Sequence, residues 1–214
     1  MWKLIIIFSA LPFVVAGFAA NALGLRILLK PATISMELDV FIHKLLLCMQ
    51  REDIQVVYEK RQLWPKLSVD KLYLPESYRA SKRVSHAGLA AQRLGVVLLG
   101  EQQPDPVRWR ERMLKLGYTL PVFALLVVSF GFLVGKLPTT ILLAVIAATL
   151  GFVSVMLGLS MGVDREAAYL MVTRLEKLRV LPRLSEEEAV VEAIKAAPWA
   201  SLMPGAFLKL TLKD

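Results

Sequence analysis

The segment LPTTILLAVIAATLGFVSVMLGLSMGV, which runs from Leu137 to Val163, contains no charged residue. The stretches from Leu4 to Leu25 and from Leu116 to Gly135 are also free of charge. A helix needs about 20 predominantly apolar residues to cross the roughly 30 Å hydrocarbon core of a bilayer. The sequence therefore predicts three transmembrane helices.

The composition agrees with a membrane protein. Hydrophobic residues make up 56% of the 214 residues and charged residues 21%, whereas ordinary soluble domains have about 45–50% and about 25%. A disordered chain and a collagen-like chain are excluded. The one cysteine, Cys48, cannot form an internal disulfide, and we interpret it as a small hydrophobe within an apolar run.

A cleavable signal peptide is the alternative for the first stretch, because Ala20-Asn21-Ala22 could serve as a cleavage site. Lys3 is the only basic residue before it, and the apolar run exceeds the roughly 7–15 residues of a signal sequence. We therefore predict that residues 1–25 form a retained transmembrane helix.

The other two spans form a hairpin over residues 116–163, so residues 26–115 and 164–214 lie on one side of the membrane. Basic residues near span ends mark the cytoplasmic side, and here they belong to these two parts. They are Arg26, Lys30, Arg108, Arg110, Arg112, Lys115 and Arg165. The sequence predicts a multi-pass protein of the inner membrane whose soluble parts are cytoplasmic. The lipid bilayer is then one of its partners.

The basic stretch Arg108–Arg112 precedes a span and contains Trp109. Tryptophan and arginine at this depth are typical of an interfacial anchor on anionic lipid. No nucleic-acid-binding motif accompanies the charge, so we predict no nucleic-acid partner.

The first polar part, residues 26–115, is predicted to be a small α+β domain. Its expected elements are a helix capped by Ser35, strands over Asp53–Tyr58 and Leu67–Leu74, a long helix over residues 76–99 and a loop over Glu101–Pro106.

The tail, residues 164–214, is predicted to be helical. It continues the third span and then begins a new helix at the N-cap Ser185, which ends before Pro198. The apolar segment Trp199–Leu212 is expected to lie on the membrane or the domain rather than to span the bilayer.

Four stretches, in this order, resemble the bacterial membrane-bound neutral zinc metallopeptidases, a gluzincin-like family. They are KLYLPESY at Lys71–Tyr78, PVRWR at Pro106–Arg110, DREAA at Asp164–Ala168 and the tail helix at Leu181–Ala197. The resemblance covers most of the chain. It implies a fold of three transmembrane helices and a small gluzincin-like α+β cytoplasmic domain.

The family's chemistry depends on H-E-x-x-H, in which two histidines hold zinc and the glutamate is the general base. The resemblance places Gln92 and Val96 at the histidine positions and Arg93 at the general base. It places Gly162 at the third ligand and Asp164 at an acid that supports a zinc-bound histidine. We therefore predict no zinc, no other cofactor and no catalytic residue, and we expect Asp164 to pair with Arg93 instead.

The two histidines are the remaining candidates for a metal. His86 lies six residues before Gln92, off the relevant helix face, and His43 has no ligand partner at suitable spacing. Surface or capping roles are the favoured interpretation for both.

The predicted function is a pseudo-metallopeptidase that acts as a non-catalytic binding, scaffolding or regulatory subunit, with another membrane protein or a second copy of itself as partner. An extended peptide could add as a strand beside Lys71–Leu74. One alternative is a hydrolase with an unorthodox centre, for which Ser85-His86 is a poor pair because neighbours on a helix point apart. Another is an oligomeric transporter or channel component, although the spans carry no ionisable residue.

Overall fold

The computed structural model describes residues 2–60, 70–135 and 138–200, except for the side chains of residues 2–10, 13, 118 and 125. In chain order the elements are α1 (Trp2–Leu28), α2 (Leu38–Cys48), β1 (Gln55–Glu59), β2 (Lys71–Pro75), α3 (Val84–Gln102), α4 (Pro104–Leu133), α5 (Thr139–Leu178) and α6 (Leu184–Ala200). The described part of the chain is thus mostly helical with a small sheet, as the sequence predicts.

The helices α4 and α5 are long and apolar enough to cross a membrane. They pack side by side, yet only 12% and 22% of the residues in their most apolar windows are buried inside the protein. Phe123, Phe130 and Leu133 of α4 are 70%, 72% and 83% exposed. In α1, side chains are described without a gap over Val14–Leu28. This segment is apolar but shorter than a membrane span.

The core of the polar part surrounds α3, which packs against α5 and α6. Close approach is possible because α3 carries glycine at the contacts. A Cβ on Gly88 would lie 2.8 Å from the carbonyl carbon of Ala193 on α6, and one on Gly95 would lie 2.6 Å from Cγ of Met171 on α5. Large apolar side chains fill the remaining space, among them Phe41, Leu94, Met171, Leu175 and Ile194.

The strands β1 and β2 form a two-stranded parallel sheet in which Val57 is opposite Tyr73. Leu72 and Leu74 of β2 are buried, whereas Lys71 is exposed. The structure therefore has strands at both predicted places. The first residues of the predicted second strand, 67–69, lie outside the described residues.

The predicted helix over residues 76–99 begins too early. Glu76–Tyr78 form only one 3-10 turn, and α3 starts at Val84. The residues between them serve another element, since the carbonyl groups of Ser81 and Lys82 accept hydrogen bonds from the amides of Leu38 and Ile34. The predicted loop over Glu101–Pro106 is also wrong, because α4 begins directly at Pro104, whose fixed φ suits the first turn of a helix.

Neither predicted serine cap is at the N-cap position in the structure. The helix α2 begins at Leu38 after Glu37, and Ser35 instead donates to Glu186 through its hydroxyl at 3.0 Å and its amide at 3.1 Å. Because α6 begins at Leu184, Ser185 lies inside the helix.

The predicted break at Pro198 is wrong. The helix α6 continues through Pro198 to Ala200. Proline lacks an amide hydrogen, so Pro198 removes only one hydrogen bond near the end of the helix. The rest of the predicted terminal segment, residues 201–212, lies outside the described residues.

Candidate functional site

Three helices meet at the carboxylate of Asp164, which is fully buried on α5. Its Oδ1 accepts hydrogen bonds from Nε2 of Gln92 on α3 at 2.7 Å and from Nε of Arg110 on α4 at 2.8 Å. Nη2 of Arg110 lies 2.7 Å from the same oxygen. Oδ2 is buried as well and has no hydrogen-bond partner among the described residues. The site is therefore a buried, charge-paired cluster in which one carboxylate oxygen is bonded and the other is not.

Gln92 and Val96, at the two positions where the resemblance expects histidine, lie one turn apart on α3. Gln92 faces Asp164, as shown above. Val96 is 2% exposed and belongs to a small apolar cluster with Leu99, Val107, Val163 and Ala167. The side of α3 that would carry a metal is thus occupied by an amide and an apolar contact.

The predicted pair between Arg93 and Asp164 is wrong. Arg93 directs Nη1 toward the carbonyl oxygen of Tyr73 on β2, at 3.3 Å, while Arg110 supplies the cation for Asp164. The physical reason is helical geometry, because residues adjacent in a helix point about 100° apart. With Gln92 facing Asp164, Arg93 must face the sheet.

Only part of the predicted interfacial anchor over Arg108–Arg112 is exposed. Arg108, Trp109 and Arg112 are exposed, but Arg110 is only 8% exposed. Its charge pairs with Asp164 instead of facing outward. Arg110 was the site residue that sequence reasoning misassigned. The available signal was the position of Asp164 directly after the charge-free stretch Leu137–Val163, because an acid packed there requires a compensating cation.

Gly162, the predicted third-ligand position, lies on the exposed side of α5, and a Cβ there would meet nothing within 4 Å. Two residues correspond to about 200° around a helix, so Gly162 lies away from the face of Asp164. Ser160, one turn before Asp164, lies on the buried face instead. Its Oγ donates to the carbonyl of Leu157 at 2.8 Å.

These residues do not fit a catalytic zinc. Such a site needs about three nitrogen, sulfur or carboxylate ligands and one open position. Here the carboxylate of Asp164 is held by Arg110 and Gln92, and Val96 offers no donor atom. Across residues 2–60, 70–135 and 138–200, no group of three His, Cys, Asp or Glu side chains could hold a metal ion.

The two histidines lie away from this cluster. Nδ1 of His43 is 2.8 Å from the carbonyl oxygen of Asp39. His86 stacks on Tyr78 with ring centroids 4.1 Å apart, and its Nδ1 is 2.7 Å from Oγ of Ser81. Burial, and secondly the charge of Arg83, lower the pKa of His86 to about 4. A hydroxyl–imidazole pair with so weak a base is poorly suited to activate a nucleophile at neutral pH.

An open groove of about 560 Å³ lies elsewhere, between the end of α2 and the outer part of α5. Its wall includes Cys48, Tyr169, Arg174 and Lys177. Cys48 also packs against the main core, so it has the hydrophobic contact that the sequence predicts.

Comparison with known proteins found no matching protein-family model, no matching curated protein and no matching solved structure.

Proposed function

We propose that this chain is a membrane-embedded, non-catalytic relative of the zinc metallopeptidases, and that it acts as a binding, scaffolding or regulatory subunit. The hydrogen bonds of Asp164 to Gln92 and Arg110 carry the proposal. In the family that the sequence resembles, an acid at this position supports a zinc-bound histidine. Here the same acid accepts hydrogen bonds from the amide of Gln92, at the histidine position, and from the guanidinium of Arg110 on α4. The contacts are those of a structural cluster that joins three helices.

Membrane insertion is supported by the exposure of α4 and α5. A soluble protein rarely exposes contiguous apolar patches larger than a few hundred Å², whereas α4 exposes Phe123, Leu126, Phe130 and Leu133 along its length. Lipid is the solvent in which such a surface is stable. In the proposed topology, α1, α4 and α5 cross the inner membrane and the polar parts are cytoplasmic.

Peptide capture at β2 belongs to the same proposal, with one condition set by Arg93. The carbonyl of Asp70 accepts a hydrogen bond from Gln55 of β1. Because successive carbonyl groups alternate along a strand, Tyr73 directs its carbonyl away from β1, toward the edge where a peptide would add. Arg93 donates to this carbonyl, so an added strand must displace Arg93.

The first experiment measures zinc in the full-length protein, purified in detergent, by elemental mass spectrometry. A matched variant, Gln92→His/Arg93→Glu/Val96→His with Ser160→Glu, restores a family-like ligand set, and a second carries Gly162→Glu instead. We expect a zinc-to-protein ratio near zero in the natural chain and a higher ratio in one of the variants. A ratio near one in the natural chain would overturn the non-catalytic assignment.

Two further measurements test the remaining parts of the proposal. Resistance of the protein to carbonate extraction from membranes is expected, and release into the soluble fraction would contradict membrane insertion. After mild detergent solubilisation, the chain should migrate as part of an assembly larger than one 23.9 kDa copy. Migration as a lone monomer would contradict the scaffolding role.

A further inference from the structure

A second pocket lies where α5 and α6 pack together, at the end of the apolar part of α5. It has a volume of about 190 Å³, and its lining consists of Arg165, Ala168, Tyr169, Val172, Lys195 and Pro198. Two of these residues are cations and none is an acid. Within the described part of the chain, no carboxylate is ion-paired to Arg165 or Lys195. Among the described residues, the lining of the pocket therefore carries only positive charge.

The guanidinium of Arg165 contacts an aromatic ring. Its Cζ lies 4.4 Å from the ring centroid of Trp199 on α6, which is a favourable cation–π distance. Arg165 is exposed, and its guanidinium carries five N–H donors for an anion beside Lys195.

The residues around the pocket indicate its level relative to the bilayer. Trp199 packs against the apolar cluster of Leu114, Val153, Leu157 and Met161. On its other side Trp199 lies against Gly24 of α1. Arg165 is the first exposed charge after the apolar stretch of α5. Tryptophan and arginine at the end of apolar helices are typical of the headgroup level of a bilayer.

We propose that this pocket binds the phosphate of one anionic phospholipid through Arg165 and Lys195. This inference rests on the membrane insertion proposed above. Anionic lipid is preferred because a zwitterionic headgroup brings its own ammonium group, which two unpaired cations repel. The basic residues of a cytoplasmic interface attract anionic lipid generally, but here two of them line one pocket, and one of the two contacts Trp199.

The test uses native mass spectrometry of the full-length protein from mixed micelles with equal amounts of phosphatidylglycerol and phosphatidylcholine. The natural chain should retain phosphatidylglycerol in preference, and Arg165→Gln/Lys195→Gln should lower this retention at least about threefold. The control Arg108→Gln/Arg112→Gln removes the same charge from exposed residues of α4 and should retain the lipid. Lys195→Gln alone, at an exposed position, serves if the double variant does not fold.

Equal retention by the pocket variant and the natural chain would overturn the proposal, as would equal loss in the control variant. Displacement of the lipid by 10 mM inorganic phosphate, at about the concentration of the lipid, would also overturn it, because the pocket would then be a site for soluble phosphate. Carbonate extraction distinguishes failure of the lipid site from failure of the proposed membrane insertion. A membrane-integrated protein with no lipid preference refutes only the lipid site.

Discussion

Arg110 of α4 and Asp164 of α5 form a buried ion pair, in which Nε and Nη2 of the guanidinium lie 2.8 and 2.7 Å from the same carboxylate oxygen. The side chains are 9% and 0% exposed. Both charges have therefore left water, and each depends on the other for compensation. The pair ties the two long apolar helices together at the edge of the polar part.

Removal of one partner is expected to destabilise the protein strongly. Arg110→Met leaves the carboxylate of Asp164 buried without its cation, which typically costs about 3–5 kcal/mol. The double variant Arg110→Met/Asp164→Leu should recover much of this loss, because no charge remains unpaired. Thermal unfolding of the full-length protein in detergent measures both. A double variant less stable than either single variant would show that the pair is not the dominant interaction.

Gln92 is expected to tolerate histidine better than an apolar residue. Nε2 of Gln92 donates to Asp164 at 2.7 Å, and an imidazole can also donate to this carboxylate. Gln92→Leu cannot, and loss of a buried hydrogen bond to a charged group costs about 1.5–3 kcal/mol. The thermal midpoints of Gln92→His and Gln92→Leu provide the comparison. Equal midpoints would indicate that the hydrogen bond contributes little.

Gly95 and Gly162 should respond oppositely to alanine. A Cβ on Gly95 would lie 2.6 Å from Cγ of Met171 and closer still to the carbonyl oxygen of Ala167. Gly95→Ala must push α3 and α5 apart, at a cost of about 1–3 kcal/mol. Gly162→Ala meets open space and should raise stability by up to about 1 kcal/mol, because alanine favours a helix. Unfolding midpoints that shift in the same direction would contradict the close packing.

His86 is expected to make stability depend on pH. Its pKa is lowered from the ordinary value of 6.5 to about 4, first by burial and then by the charge of Arg83. Between pH 6.5 and 4 the unfolded chain binds a proton that the folded chain does not, so stability falls as the pH falls through this window. His86→Asn should weaken that dependence.

The titration itself can be observed by NMR of the imidazole protons. The His86 signal should titrate near pH 4, and the variant His43→Asn identifies it by removing the other imidazole signal. A midpoint for His86 near 6.5 would show that the ring is exposed in solution, contrary to its stacking on Tyr78.

The sequence predicted much of the secondary structure of the polar part and missed its junctions. The periodic alanine-rich pattern predicted α3, and the β-branched run around Val56 predicted β1. The start of α3 was misplaced because residues 79–83 contact the segment before α2 and the first turn of α2. No local pattern reports such a contact. Similarly, Ser35 has the composition of a helix cap, but the buried carboxylate of Glu186 binds it instead.

Sequence alone determined the charge-free stretches, the helical periodicity and the absence of histidine at positions 92 and 96, because these are properties of local composition and order. Only the tertiary structure decided the partner of Asp164. A carboxylate binds whichever cation the packing brings within about 3 Å, and Arg110 is 54 residues away in the chain. Arg93 was the candidate on the resembling helix, but its direction from α3 turns it toward Tyr73. Distance in sequence therefore gave no guide to the charge pair at the site.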